Sequence, residues 1–95
     1  MTLDPDGTAR IGDHPVGRAV WTDRHRDRPG MGWLTEWQYC DPAHGAAILA
    51  AVEAELVRRG ARSLGTEVTG DDRDRRRLVL QLGFRLLAQQ MEKAL

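Results

Sequence analysis

Three groups of residues carry side chains able to do chemistry at spacings that merit a test. Cys40 and His44 flank "DPA", where a helix start would stabilise a thiolate and an imidazole could act as its base. That pair is a candidate acyl-carrying nucleophile, although a lone cysteine at a strand end also serves as a small packed hydrophobe. His14, His25 and His44 with Asp41 supply metal-ligating atoms, but their irregular spacing fits no ligand signature, so no metal is expected. The third group is basic. Arg24, Arg26 and Arg28 stand in one charged loop, and "DDRDRRR" (Asp71 to Arg77) sets four arginines against three aspartates. Pairs such as Asp71–Arg75 and Asp72–Arg76 would neutralise much of that run and make it a solvated helix face.

The stretch "DPAHGAAIL", Asp41 to Leu49, raises a fourth candidate. Asp41 can cap a helix, and Pro42 suits its first position. Unpaired N–H groups at a helix start, with the positive end of the dipole, attract anions. Gly45 would let a ligand approach the backbone closely.

The elements that must position these residues follow from pattern. "TARIG" and "VGRAVWT" read as a β-hairpin, and "DRHRDRPG" as a loop. Period-2 alternation over "MGWLTEWQYC" predicts a strand with Trp33, Thr35, Trp37 and Tyr39 on one face. Leu34, Glu36, Gln38 and Cys40 then take the other. Ile48, Leu49, Val52 and Leu56 recur at helical spacing, Glu55–Arg59 is a favourable i,i+4 pair, and Gly60 ends that helix. "RSLGTEVT" predicts a strand and "RDRRRLVLQL" a second helix closed by Gly83. "FRLLAQQMEKAL", ambiguous on propensity, is taken as the last strand. The order β-β-β-α-β-α-β implies an α/β mixed sheet with a parallel portion.

Ninety-five residues suit one domain over 1–95, and 41% hydrophobic with 29% charged residues is ordinary globular composition. Fourteen basic residues balance fourteen acidic ones, which argues against a nucleic-acid partner. One cysteine excludes an intrachain disulfide. The start lacks a secretory pattern, and no apolar run could span a bilayer, so no membrane association and a cytoplasmic location are expected.

From Ile48 onward the chain resembles the C-terminal half of the GNAT acetyltransferase superfamily. The likeness is carried by "ILAAVEAELVRRGARSLGTEVTGDD", "LQLGFR" and "MEKAL", with Ile48-Leu49, Gly60-Ala61 and Gly83-Phe84 spaced as in that family. The N-terminal half fits the family's antiparallel strands two to four. The usual first strand and first two helices, which wall the acceptor side, are missing from the pattern.

The resemblance implies an acetyl-CoA cosubstrate in the V-shaped gap between the family's fourth and fifth strands. Its pyrophosphate would lie at His44, Gly45, Ala46 and Ala47. Acetyl would pass directly to a small-molecule or protein amine, with Glu36 as the candidate general base. Two positions depart from the pattern. The phosphate fingerprint (Gln or Arg, two residues, Gly, one residue, Gly or Ala) falls on Cys40, Ala43 and Gly45, or, shifted, on Pro42, Gly45 and Ala47. The tyrosine that protonates the leaving thiolate in many members falls on Val79, read here as a core residue. The alternative reading is a non-catalytic GNAT-like binding or dimerisation module. In either reading Trp21, Trp33 and Trp37, partly uncovered without the missing helices, would mediate a homodimer or a protein partner.

Overall fold

The structure, a computed structural model, describes residues 1–24, 28–68, 72–87 and 90–95. Its elements are β1 (Thr2–Leu3), β2 (Thr8–Ile11), β3 (His14–Thr22), β4 (Met31–Tyr39), α1 (Pro42–Arg58), β5 (Ser63–Glu67), α2 (Arg73–Gln81), β6 (Arg85–Leu87) and β7 (Gln90–Ala94). They form one seven-stranded sheet in the order β1-β2-β3-β4-β5-β7-β6. All neighbours are antiparallel except β4 and β5. This is the mixed α/β sheet expected, with two refinements. A two-residue strand, β1, stands at the sheet edge and joins β2 through the "DPDG" turn with no helix between them. The last segment folds back on itself as the hairpin β6–β7 rather than as one strand.

Both helices close in the same way, and the chemistry of their ends is local. After α1, Gly60 adopts a left-handed φ of +88°, so its N–H reaches the Val57 carbonyl and the Ala61 N–H reaches that of Leu56. After α2, Gly83 and Phe84 repeat these bonds to Leu80 and Val79. This paired bonding satisfies carbonyls that the helix itself leaves free. Gly60-Ala61 and Gly83-Phe84 are therefore helix terminators that turn the chain into β5 and β6.

The core lies between the sheet and the two helices, which share one face. Ile48, Leu49, Val52 and Leu56 of α1 pack with Val79 of α2 and with Ala19, Leu34, Trp37, Leu64, Phe84 and Met91. Val79 is fully buried, as its reading as a core residue requires. A second, polar contact pins the layers. The Lys93 ammonium on β7 holds the Glu53 carboxylate of α1 at 2.6 Å and donates to the Leu82 carbonyl at the end of α2.

The alternation expected along β4 breaks in its middle. Val20 pairs with Glu36, but Trp21 pairs with Leu34, so Thr35 is an unmatched bulge residue. A bulge inserts one residue and reverses the faces beyond it. Leu34 therefore joins Trp37 in the core, while the Trp33 ring lies against Gly65 beside Met31 on the opposite face. The three tryptophans do not form one surface. Trp37 is buried, Trp21 packs against the core under the Arg59 guanidinium (4.9 Å from the ring centroid), and Trp33 is half-buried on the back of the sheet. On that same back face Arg28 makes a bidentate pair with the buried Glu92, at 3.0 and 3.1 Å.

Candidate functional site

The bulge at Thr35 coincides with a fork in the sheet. The parallel ladder runs Met31–Ser63, Gly32–Leu64, Trp33–Gly65 and Leu34–Thr66, then stops. β4 continues to Tyr39 and β5 to Glu67, but among the described residues no strand pairs with this side of β4 beyond Leu34. The buried Thr66 hydroxyl donates to the Leu34 carbonyl at 3.1 Å, placing a side-chain hydrogen bond at the last rung. Main-chain groups from Thr35 to Tyr39 are thereby left on an open edge, which can pair with an extended ligand.

Directly beyond this edge the chain enters α1. Asp41 caps the helix, its Oδ1 accepting from the Ala43 N–H at 2.9 Å, while its carbonyl accepts from the Gly45 N–H at 3.0 Å. Pro42 has no N–H to offer. The His44 amide is left as the uncommitted donor of the first turn among the described residues. Gly45 is buried against Tyr39, and the Trp37 indole N–H donates to the Gly45 carbonyl at 3.1 Å. The four residues expected to cradle pyrophosphate are thus helical, with His44, Ala46 and Ala47 half-buried and Gly45 sealed against a ring.

α2 faces the same corner. The Arg75 guanidinium lies over Trp37 and Tyr39, 5.4 and 5.3 Å from their centroids, and Asp72 stands 3.7 Å from it. Burial raises the Tyr39 phenol above its ordinary pKa, and Arg75 pulls it part of the way back. Between the α1 start and α2 runs an open groove of about 260 Å³, lined by Tyr39, Pro42, Asp74, Arg77, Leu78 and Gln81.

Glu36, the candidate base, is on the freed stretch of β4. Its carboxylate accepts from Arg18 Nε at 3.2 Å and from Gln38 Nε2 at 2.9 Å. Cys40 is exposed and free, and no hydrogen bond joins it to His44 among the described residues. His25, Arg26 and Asp71 lie outside the described residues. Among the described ones, no cluster of three or more acidic, histidine or cysteine side chains is arranged to hold a metal. Asp72 pairs with Arg75 at i,i+3 rather than with Arg76 at i,i+4, because as the N-cap it also accepts from the Arg75 N–H. The Glu55–Arg59 pair is present at 3.0 Å and is joined by Arg58.

Sequence reasoning missed the contacts of Trp37 and Arg75. An indole and a glycine eight residues apart give no local signal. The arginine appeared only as one of a run, and the expected i,i+4 pairing with Asp71 made it look spent.

The sequence matches no protein-family model and no curated protein. Solved structures do share the fold. A protein from Pyrococcus horikoshii OT3 superposes with a TM-score of 0.78 at 17% identity, over 93% of this chain and 63% of its own. A GNAT-family acetyltransferase from Desulfovibrio desulfuricans does so with a TM-score of 0.72 at 22% identity, over 92% and 64%. The PaiA N-acetyltransferase of Thermoplasma acidophilum, solved in complex with coenzyme A, gives 0.73 at 15% identity, over 93% and 58%. The fold is therefore that of the GNAT acetyltransferases, and the chain spans 58–64% of the length of these three neighbours. Among the described residues no helix is long and apolar enough to cross a membrane.

Proposed function

We propose that this domain binds acyl-CoA and transfers the acyl group, acetyl in the simplest case, directly to an amine. The observation that carries the proposal is the fork. The β4–β5 ladder ends at Leu34–Thr66, and the freed edge of β4 leads straight to the first turn of α1. An extended pantetheine arm could pair with such an edge, with the pyrophosphate reaching the turn from His44 to Ala47.

In this reading the amine nitrogen attacks the thioester carbonyl, the C–N bond forms, and the C–S bond breaks to release the thiolate. Glu36 takes the proton from the ammonium form of the acceptor. Val79, buried and apolar, has no proton for the thiolate, so water supplies it and takes in return the second proton that the nitrogen sheds as the amide forms. Acyl transfer is read by thiol release with acetyl-CoA and a panel of small-molecule and peptide amines. Turnover that falls by about 10²-fold in Glu36→Gln, with the fold shown to be intact by circular dichroism, supports the base assignment. Turnover unchanged in that variant removes it.

A second reading is favoured by one specific feature. The Asp41 carboxylate and the committed amides of Ala43 and Gly45 leave the α1 start ill-suited to an anion, as in a module that binds or assembles without catalysis. Self-association through the back of the sheet, where Trp33 is half-buried, is its expected form. The balanced net charge offers no repulsion against it. A monodisperse monomer at micromolar concentration in light scattering would contradict self-association. A cytoplasmic setting belongs to either reading, since the free exposed Cys40 suits a reducing compartment.

A further inference from the structure

The nucleotide end of CoA carries several phosphate charges, and the α1 start does little to meet them. Pro42 lacks an N–H, the Ala43 and Gly45 amides are bonded to Asp41, and the Asp41 carboxylate stands at the positive end of the dipole. Cations face this turn from across the groove instead. Arg77 lines the groove, is exposed, and has no ion-pair partner among the described residues. Arg75 is held on the Tyr39 and Trp37 rings with only a 3.7 Å approach from Asp72. The opposing charge in the groove is Asp74, one turn before Arg77.

Resting on the acyl-CoA reading above, we propose that the phosphates of CoA are held mainly by the guanidinium of Arg77, supported by Arg75, and not by the amides of the α1 first turn. A guanidinium presents paired donors matched to phosphate oxygens. Arg75 is already oriented by two rings, which lowers the entropy lost when it engages an anion. Pro42, Leu78 and the Tyr39 ring give the same groove an apolar wall against which a purine can lie. The anion site of this chain is thereby carried by α2 side chains.

The test is calorimetric titration of the whole chain at low salt with CoA, with dephospho-CoA and with pantetheine. Arg77→Gln is expected to weaken CoA binding about fivefold or more while leaving pantetheine unchanged. Arg76→Gln, on α2 but outside the groove lining, controls for net charge and should stay within about twofold. Arg77→Lys should recover part of the loss. Loss with both CoA and dephospho-CoA assigns Arg77 to the pyrophosphate, and loss with CoA alone assigns it to the 3′-phosphate. CoA binding that Arg77→Gln leaves unchanged, or that His44→Pro weakens more than Arg77→Gln does, overturns this inference and leaves the acyl-CoA reading standing. No binding of CoA to the folded native chain overturns the acyl-CoA reading and this inference with it.

Discussion

Gly45 lies flat against the ring of Tyr39, so close that a Cβ at position 45 would stand 2.8 Å from both Cγ and Cδ1. The only glycine in the first turns of α1 is thus demanded by packing between helix and strand. Gly45→Ala should destabilise the fold by about 1–3 kcal/mol, because the ring must leave its place under Arg75. In a Tyr39→Ala background the same change should cost under about 0.5 kcal/mol. Urea midpoints for the four proteins check both. Equal cost in the two backgrounds would separate Gly45 from the ring.

Asp41 performs two tasks that a single substitution can divide. Asn caps a helix as well as Asp does, so Asp41→Asn should change stability by less than about 1 kcal/mol. It also removes a carboxylate from beside Pro42, at the rim of the groove proposed to receive the phosphates, and CoA affinity should rise about threefold or more at low salt. Asp41→Ala, which lacks the cap, should lose about 1 kcal/mol of stability. Unchanged affinity in Asp41→Asn would place the phosphates away from this turn.

The end of α1 sets an acid response. Hydrogen bonds from Arg58, then from Arg59, hold the Glu55 carboxyl below its ordinary pKa. A folded-state pKa lower than the unfolded one means that the unfolded chain takes up the proton first. The contribution of Glu55 is complete above its ordinary pKa and fades as pH falls through the depressed one. Glu55→Gln should therefore flatten the fall in stability below the usual glutamate range and leave the slope near neutrality unchanged. Denaturation midpoints from neutrality down to acid pH report it.

Val79 stands where GNAT-like enzymes often place a tyrosine, and it is fully buried. Val79→Tyr should not create a working acid. Overpacking of this kind typically costs about 1–3 kcal/mol, read as a lowered urea midpoint, with no gain in thiol release. A stable Val79→Tyr variant with faster turnover would show that the site is open to the reacting thiolate.

What could be read from the sequence was what the chain decides locally. Asp41 and Pro42 begin α1, either Asp71 or Asp72 could begin α2 (the structure uses Asp72), and Gly60 and Gly83 end them, since caps and terminators act within a few residues. The spacing of Ile48, Leu49, Val52 and Leu56 defines the buried stripe of α1. What pairing decides was not legible. The bulge at Thr35 exists because β4 must register with β3, so Leu34 and Trp33 exchange the faces that strict alternation gives them. The fold-back of β7 between β5 and β6 is likewise set by ladders between distant residues. At the site, the role of Gly45 depended on Tyr39, and that of Arg75 on two rings of another element. The glycine was visible as a candidate, but its reason was tertiary.

In the proposed function the fork between β4 and β5 receives acyl-CoA. Calorimetric titration of the folded chain with acetyl-CoA and with the unreactive desulfo-CoA tests it most directly. Saturable binding of both is expected, with Kd of about 1 mM or tighter, weakened when Thr66→Val removes the hydroxyl that holds the last rung at Leu34. No detectable heat with either ligand up to millimolar concentration, in a protein shown by circular dichroism to be folded, would contradict it.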